Sequence, residues 1–97
     1  AIEVLSQDED GFFLMAEGAR IDHASHAADI PGVVAETLDF DASVKAAMDF
    51  AKENGDTLVI VTADHGEAFG EYGIWHHPEN THTPVLLEVP WLEISER

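Results

Sequence analysis

At 97 residues, 45% apolar and 25% charged, the chain is long enough for one modest core, and residues 1–97 read as a single domain rather than two. Twenty Asp and Glu stand against four Lys and Arg, and a formal charge of −16 excludes nucleic-acid binding by counterion release and disfavours anionic membrane surfaces. The absence of cysteine excludes disulfides, thiolate zinc sites and a cysteine nucleophile.

The same acidity bears on chemistry and environment. An anionic substrate is turned away from so negative a body unless bound cations reverse the sign locally, so phosphate chemistry here requires metal ions. Self-repulsion of this size is relieved by salt, which points to a high-salt environment. The opening residues Ala1, Ile2, Glu3 and Val4 lack the basic and apolar regions of a signal peptide, and no apolar run approaches membrane-spanning length.

Residues 7–11 form a polar turn, and the continuous apolar run Phe12, Phe13, Leu14, Met15 and Ala16 predicts a strand buried on both faces, ended by Glu17 and Gly18. Small residues then lead to Pro31, suited to a first helical turn, and a long helix is predicted from there to about Asn54. Val34, Leu38, Val44, Ala47, Met48 and Ala51 recur at helical spacing as a core stripe, while Asp39 and Asp41 belong to a solvated face. Gly55 supplies a left-handed C-cap, and the β-branched apolar run 57–63 predicts a central strand. Strand, helix and strand make the expected fold α/β, with a right-handed parallel βαβ core. After a loop marked by Gly66, Gly70 and Gly73, residues 84–89 offer a third, shorter strand closed by Pro90.

In parallel α/β sheets ligands collect at the carboxyl ends of strands, so Glu17 and Asp22 after the first strand should meet Asp64 and His65 after the second. Asp22 and His26 are four apart and share a face if that segment is helical; a carboxylate oxygen with an imidazole nitrogen suits zinc. Glu17 is acceptor-only, and a hard oxygen ligand suits magnesium. Plainer readings stand beside these. Acidic residues after strands are common caps, and His23, His76, His77 and His82 fit solvent-facing positions. Asp64 and His65 are the more telling pair, because two ligand-type residues end a wholly apolar strand.

The stretch from Gly11 to His26, in which an apolar run ends in Glu17 and Gly18 and is followed by Ile21, Asp22 and His26, closely resembles the bacterial alkaline phosphatase motif. The likeness continues in order and spacing: residues 36–52 are similar to that family's helix, and residues 56–65 to its second metal-binding strand. The resemblance implies phosphomonoester hydrolysis with two zinc ions and magnesium, in part of a larger three-layer α/β fold. Asp22 and His26 would hold the first zinc, Asp64 and His65 the second, and Glu17 the magnesium. His82, followed by Thr83, Pro84 and Val85, resembles the third histidine of the first zinc, with His77 as the alternative because the family's long preceding segment is here very short. A periplasmic or extracellular location, a phosphate monoester substrate, and as partner a missing amino-terminal portion or a second copy are implied as well.

From Thr62 onward, through Asp64-His65-Gly66-Glu67, His76-His77-Pro78 and the run 86–91, the chain looks more like sulfatases of the same superfamily. A sulfatase-like hydrolase and a non-catalytic metal-binding module are therefore alternative readings. The family's Ser or Thr nucleophile, metal-bridging Asp and phosphate-clamping Arg belong upstream of the matched motif, and Ser6, Ser25, Ser43, Ser95 and Arg20 match none of their contexts. Its covalent mechanism is not expected of this chain alone.

Overall fold

The computed structural model describes residues 1–96 as helices α1 (Ile2–Leu5), α2 (Ala19–His26), α3 (Ile30–Asn54) and α4 (Pro84–Leu87) with strands β1 (Thr57–Thr62), β2 (Ala68–Phe69), β3 (Trp75–His76) and β4 (Trp91–Glu96). The long helix α3 is the scaffold, and α2 and β1 pack on it. Asp29 fixes its start: Oδ1 accepts from the Gly32 N–H at 3.0 Å, and Pro31 sits in the first turn, where its missing N–H costs nothing. At the other end Gly55 has a positive φ, +66°, but its ψ of −176° is extended rather than the left-handed helical cap expected, and its N–H donates to the Ala51 carbonyl at 2.9 Å. Arg20 of α2 donates from Nε to Glu36 of α3 at 2.7 Å, a bond that raises the guanidinium further above its already high value.

Helices and strands are mixed as an α/β reading requires, but both sheets are antiparallel rather than parallel. β1 pairs with β4, from Thr57 opposite Glu96 to Thr62 opposite Trp91, and β2 pairs with β3. The expected first strand is absent: residues 11–18 hold no regular structure. A strand buried on both faces needs hydrogen-bonded neighbours and cover on each side, and no described strand pairs with this segment. Its exposure alternates nonetheless, Phe12 and Leu14 at 38% against 87% for Phe13 and 79% for Met15. The inward side rests on α3, with the Phe12 and Phe50 rings 5.8 Å apart.

The expected third strand is a helix instead. Pro84 opens a turn in which the N–H groups of Leu86 and Leu87 donate to the Thr83 carbonyl at 3.0 and 3.1 Å, and the strand that pairs with β1 lies beyond Pro90. The apolar stripe of α3 is only partly a core. Among the described residues Ala51, Ala68 and Leu86 are buried, whereas Val34, Leu38 and Met48 are exposed, as are Leu58 and Ile60 of β1. One eight-residue helix and a two-stranded sheet cannot cover a 25-residue helix and both faces of its strand. Among the described residues no helix is long and apolar enough to cross a membrane.

Candidate metal centre

Because the segment 19–26 is helical, Asp22 and His26 stand one turn apart on one face, with His26 Nε2 3.5 Å from Asp22 Oδ2. The chain leaving β1 carries His65 and Glu67 towards that face, and Gly66 between them determines the path. Its N–H donates to the Leu86 carbonyl at 2.8 Å, and a Cβ at this position would stand 2.0 Å from the Val85 carbonyl oxygen. Only glycine permits that approach to α4. The β2–β3 hairpin then turns the chain back, and His77, directly after β3, arrives over α2.

His77 is the hub. Its Nε2 lies 3.0 Å from His26 Nε2 and 3.4 Å from Asp22 Oδ1, its Nδ1 lies 2.7 Å from Glu67 Oε2, and its ring centroid is 4.0 Å from that of His65. His65 Nδ1 is 2.9 Å from the Gly66 carbonyl; donation there leaves Nε2 facing Asp22 Oδ1 and Asp64 Oδ1, each at 3.8 Å. Two ligand sets result, Asp22 with His26 and His77, and His65 with Glu67 and His77, the donor atoms of each lying within 4.8 Å of one another.

The hydrogen bond to Gly66 holds the His65 imidazole above its ordinary value; burial opposes the shift, and the carboxylates of Asp64, Asp22 and Glu67 assist it. Burial alone would raise the Glu67 carboxyl, but bonds from His77 and Ser25 and the charges of His77 and His76 outweigh it and leave the group below the usual range.

These residues fit a cation. Asp22 Oδ1 is buried without a hydrogen-bond partner, a costly state that a positive ion would relieve. Two imidazole Nε2 atoms at 3.0 Å cannot both donate to each other, whereas a cation accepts both lone pairs. Around a tetrahedral zinc with bonds of about 2.0–2.1 Å, ligand atoms stand about 3.3 Å apart. The 3.0 Å between the His26 and His77 Nε2 atoms and the 3.4 Å from His77 Nε2 to Asp22 Oδ1 lie close to that spacing, and His26 Nε2 meets the other carboxylate oxygen, Asp22 Oδ2, at 3.5 Å.

Of the residues expected from sequence, Asp22, His26 and His65 come together, and His77, the alternative third histidine, joins them. Asp64, with its side chain 89% exposed, belongs to neither set, and nor does exposed His82. Glu17, likewise outside both, lines a cavity with Arg20, Glu36 and Asp39. Glu67 is the residue that sequence reasoning missed; its spacing from Asp64 and His65 on one short segment was the available signal.

The sequence model of the family described as "Alkaline phosphatase" matches residues 1–88, continuing past Thr62, where the sulfatase likeness begins. Over 68 residues the chain is 57% identical to alkaline phosphatase of Escherichia coli (strain K12), an overlap of 70% of this chain and 14% of that protein. It is 51% identical over 79 residues to alkaline phosphatase 3 of Bacillus subtilis (strain 168), covering 78% of this chain and 17% of that one. Streptomycin-6-phosphate phosphatase of Streptomyces griseus is 59% identical over 58 residues, 60% of this chain and 13% of that protein. The chain thus spans less than a fifth of the length of these relatives. No solved structure matches it. A family match over nearly the whole sequence, together with relatives more than 50% identical over most of it, carries one conclusion: this chain belongs to the alkaline phosphatase family.

Proposed function

We propose that the chain carries the ion-holding part of a phosphomonoesterase site, in which Asp22, His26 and His77 grip one zinc ion. The observation that carries this reading is the buried, unpartnered Asp22 Oδ1, which stands 3.4 Å from His77 Nε2, itself 3.0 Å from His26 Nε2. His77 rather than His82 is the third ligand, because His82 is exposed and lies outside the cluster. By likeness of position, Asp64 and His65 serve a second zinc and Glu17 a magnesium ion. In a larger fold that supplies strand neighbours, residues 12–16 take their place in a parallel sheet, and the protein works in the periplasm or outside the cell.

Zinc held there would supply Lewis-acid polarisation of a phosphoryl oxygen and neutralise charge developing on the phosphate. The chain's own residues set the stage. The rigid turn of α2 holds Asp22 and His26 in line, and the bond from His65 Nδ1 to Gly66 presents the opposite nitrogen to Asp22. The substrate class is a phosphate monoester, which the −16 body admits only where bound cations invert the field.

Calorimetric titration of zinc into the metal-stripped chain tests this. Tight binding by the wild-type chain and by His82→Ala is expected, with a loss of about 10–100-fold or more for His77→Ala. Wild-type protein that takes up no zinc, or His77→Ala that binds unchanged, overturns the assignment.

A further inference from the structure

A neutral imidazole offers a lone pair from one nitrogen only, and the partner of the other nitrogen decides which. At His77 that partner is Glu67, whose Oε2 lies 2.7 Å from Nδ1. The remaining oxygen of the carboxylate is engaged as well: Oε1 accepts from Ser25 Oγ at 3.0 Å and lies 3.4 Å from His76 Nδ1. Glu67 is therefore braced from α2 on one side and from β3 on the other. It and His77 are also the best covered side chains of the cluster, 21% and 18% exposed.

Both ligand sets claim His77, and they make different demands on it. In the set with His65, Glu67 spends its carboxylate on the ion and releases the His77 Nδ1 proton. In the set with Asp22 and His26, Glu67 keeps that proton and His77 Nε2 faces the other two ligands at 3.4 and 3.0 Å. The distances, 2.7 Å from His77 Nδ1 to Glu67 Oε2 and 3.0 Å between the His77 and His26 Nε2 atoms, fit the second arrangement.

We infer that Glu67 is the positioning residue of this centre: it holds the Nδ1 proton of His77, aims the Nε2 lone pair at Asp22 and His26, and thereby commits His77 to their ion. The inference rests on the ion proposed at Asp22, His26 and His77, and it assigns Glu67 a place behind the ligands rather than among them.

The decisive measurement needs no metal. Nitrogen-15 NMR of the metal-free chain, above the imidazole titration range, should show His77 protonated on Nδ1. Glu67→Ala should lose that preference and bind zinc about 10–100-fold more weakly, the usual effect of removing such a support. Glu67→Gln, whose amide oxygen still accepts from Nδ1, should keep the tautomer and most of the affinity. With cobalt(II) as probe, wild type and Glu67→Gln should give the same ligand-field spectrum. His77 protonated on Nε2 in the wild type overturns the inference, as does a cobalt spectrum altered in Glu67→Gln, which would place Glu67 on the ion. Should Glu67→Ala fail to fold, the wild-type tautomer and the Gln variant still decide. A wild-type chain that binds no zinc removes the proposed ion, whereas a wrong tautomer with zinc still bound removes only the role of Glu67.

Discussion

Asp22 is held in a state that suits an ion and little else, and that makes its two substitution effects opposite in sign. Without metal, its buried Oδ1 has no partner, so Asp22→Ala should leave the thermal midpoint of the stripped chain unchanged or slightly raised. With zinc present the same variant should lose about 10–100-fold in affinity, together with the metal-induced rise in midpoint. Melting each protein with and without zinc checks both signs, and a variant that stabilises equally with zinc defeats the reading. The titrating groups add a pH dependence to the metal-free chain. His65 sits above its ordinary 6.5, so the stability it contributes is present below that value and fades as pH rises through the higher folded value. Glu67 sits below its ordinary 4.5, so its contribution is present above that value and is lost as pH falls through the lower folded one. Urea midpoints across pH should therefore decline on both sides, and His65→Gln should flatten the alkaline side alone. Asp22, His26 and His65 were legible in the sequence because helical spacing and a strand end are local signals. The place of Glu67 was not, since its contact with His77 depends on a hairpin that returns His77 to it ten residues later.

Among the elements, α3 was the most legible, because periodicity, a first-turn Pro and a terminal Gly all act within the helix itself. Strand identity was harder to read, since pairing is a contract with distant chain: β1 was foreseen, but its partner lies beyond Pro90, and residues 12–16 have strand-like alternation without a partner. The run 84–87 could be read as a short buried strand, yet a proline after a threonine favours a helical turn just as well. Two glycines separate local from tertiary constraint. At Gly55 nothing lies within 4 Å of an added Cβ, so Gly55→Ala should cost only the backbone strain of its positive φ, about 1–3 kcal/mol. At Gly66 the added carbon meets a backbone oxygen, so Gly66→Ala should cost about 2 kcal/mol or more and weaken zinc binding too, because His65 and Glu67 ride on the displaced segment. Equal zinc affinities in the two variants would show that α4 does not position the centre.

The whole molecule is open for its size. A folded chain of 10.6 kDa ordinarily exposes about 5,500 Å². This one exposes 7691 Å². Its radius of gyration is 16.3 Å over extents of 50 × 25 × 18 Å, against about 13 Å for a compact domain of this length. With so little apolar surface enclosed, the −16 charge weighs heavily, and moving from about 0.1 M to 1 M salt, which shortens the screening length from about 10 Å to about 3 Å, should raise the unfolding midpoint. A midpoint indifferent to salt would show that charge repulsion is a minor force here. The reach of His77 to His26 gains importance in such a chain. The two residues are 51 apart in sequence, so an ion gripping both imidazoles closes a long loop that the chain, lacking cysteine, cannot close covalently. On a chain-entropy account a crosslink of that span removes about 4 kcal/mol of disorder from the unfolded state, comparable to a disulfide. The centre would then be a reversible stitch, fastened by zinc and undone by a chelator, that ties the hairpin to the helix beneath it.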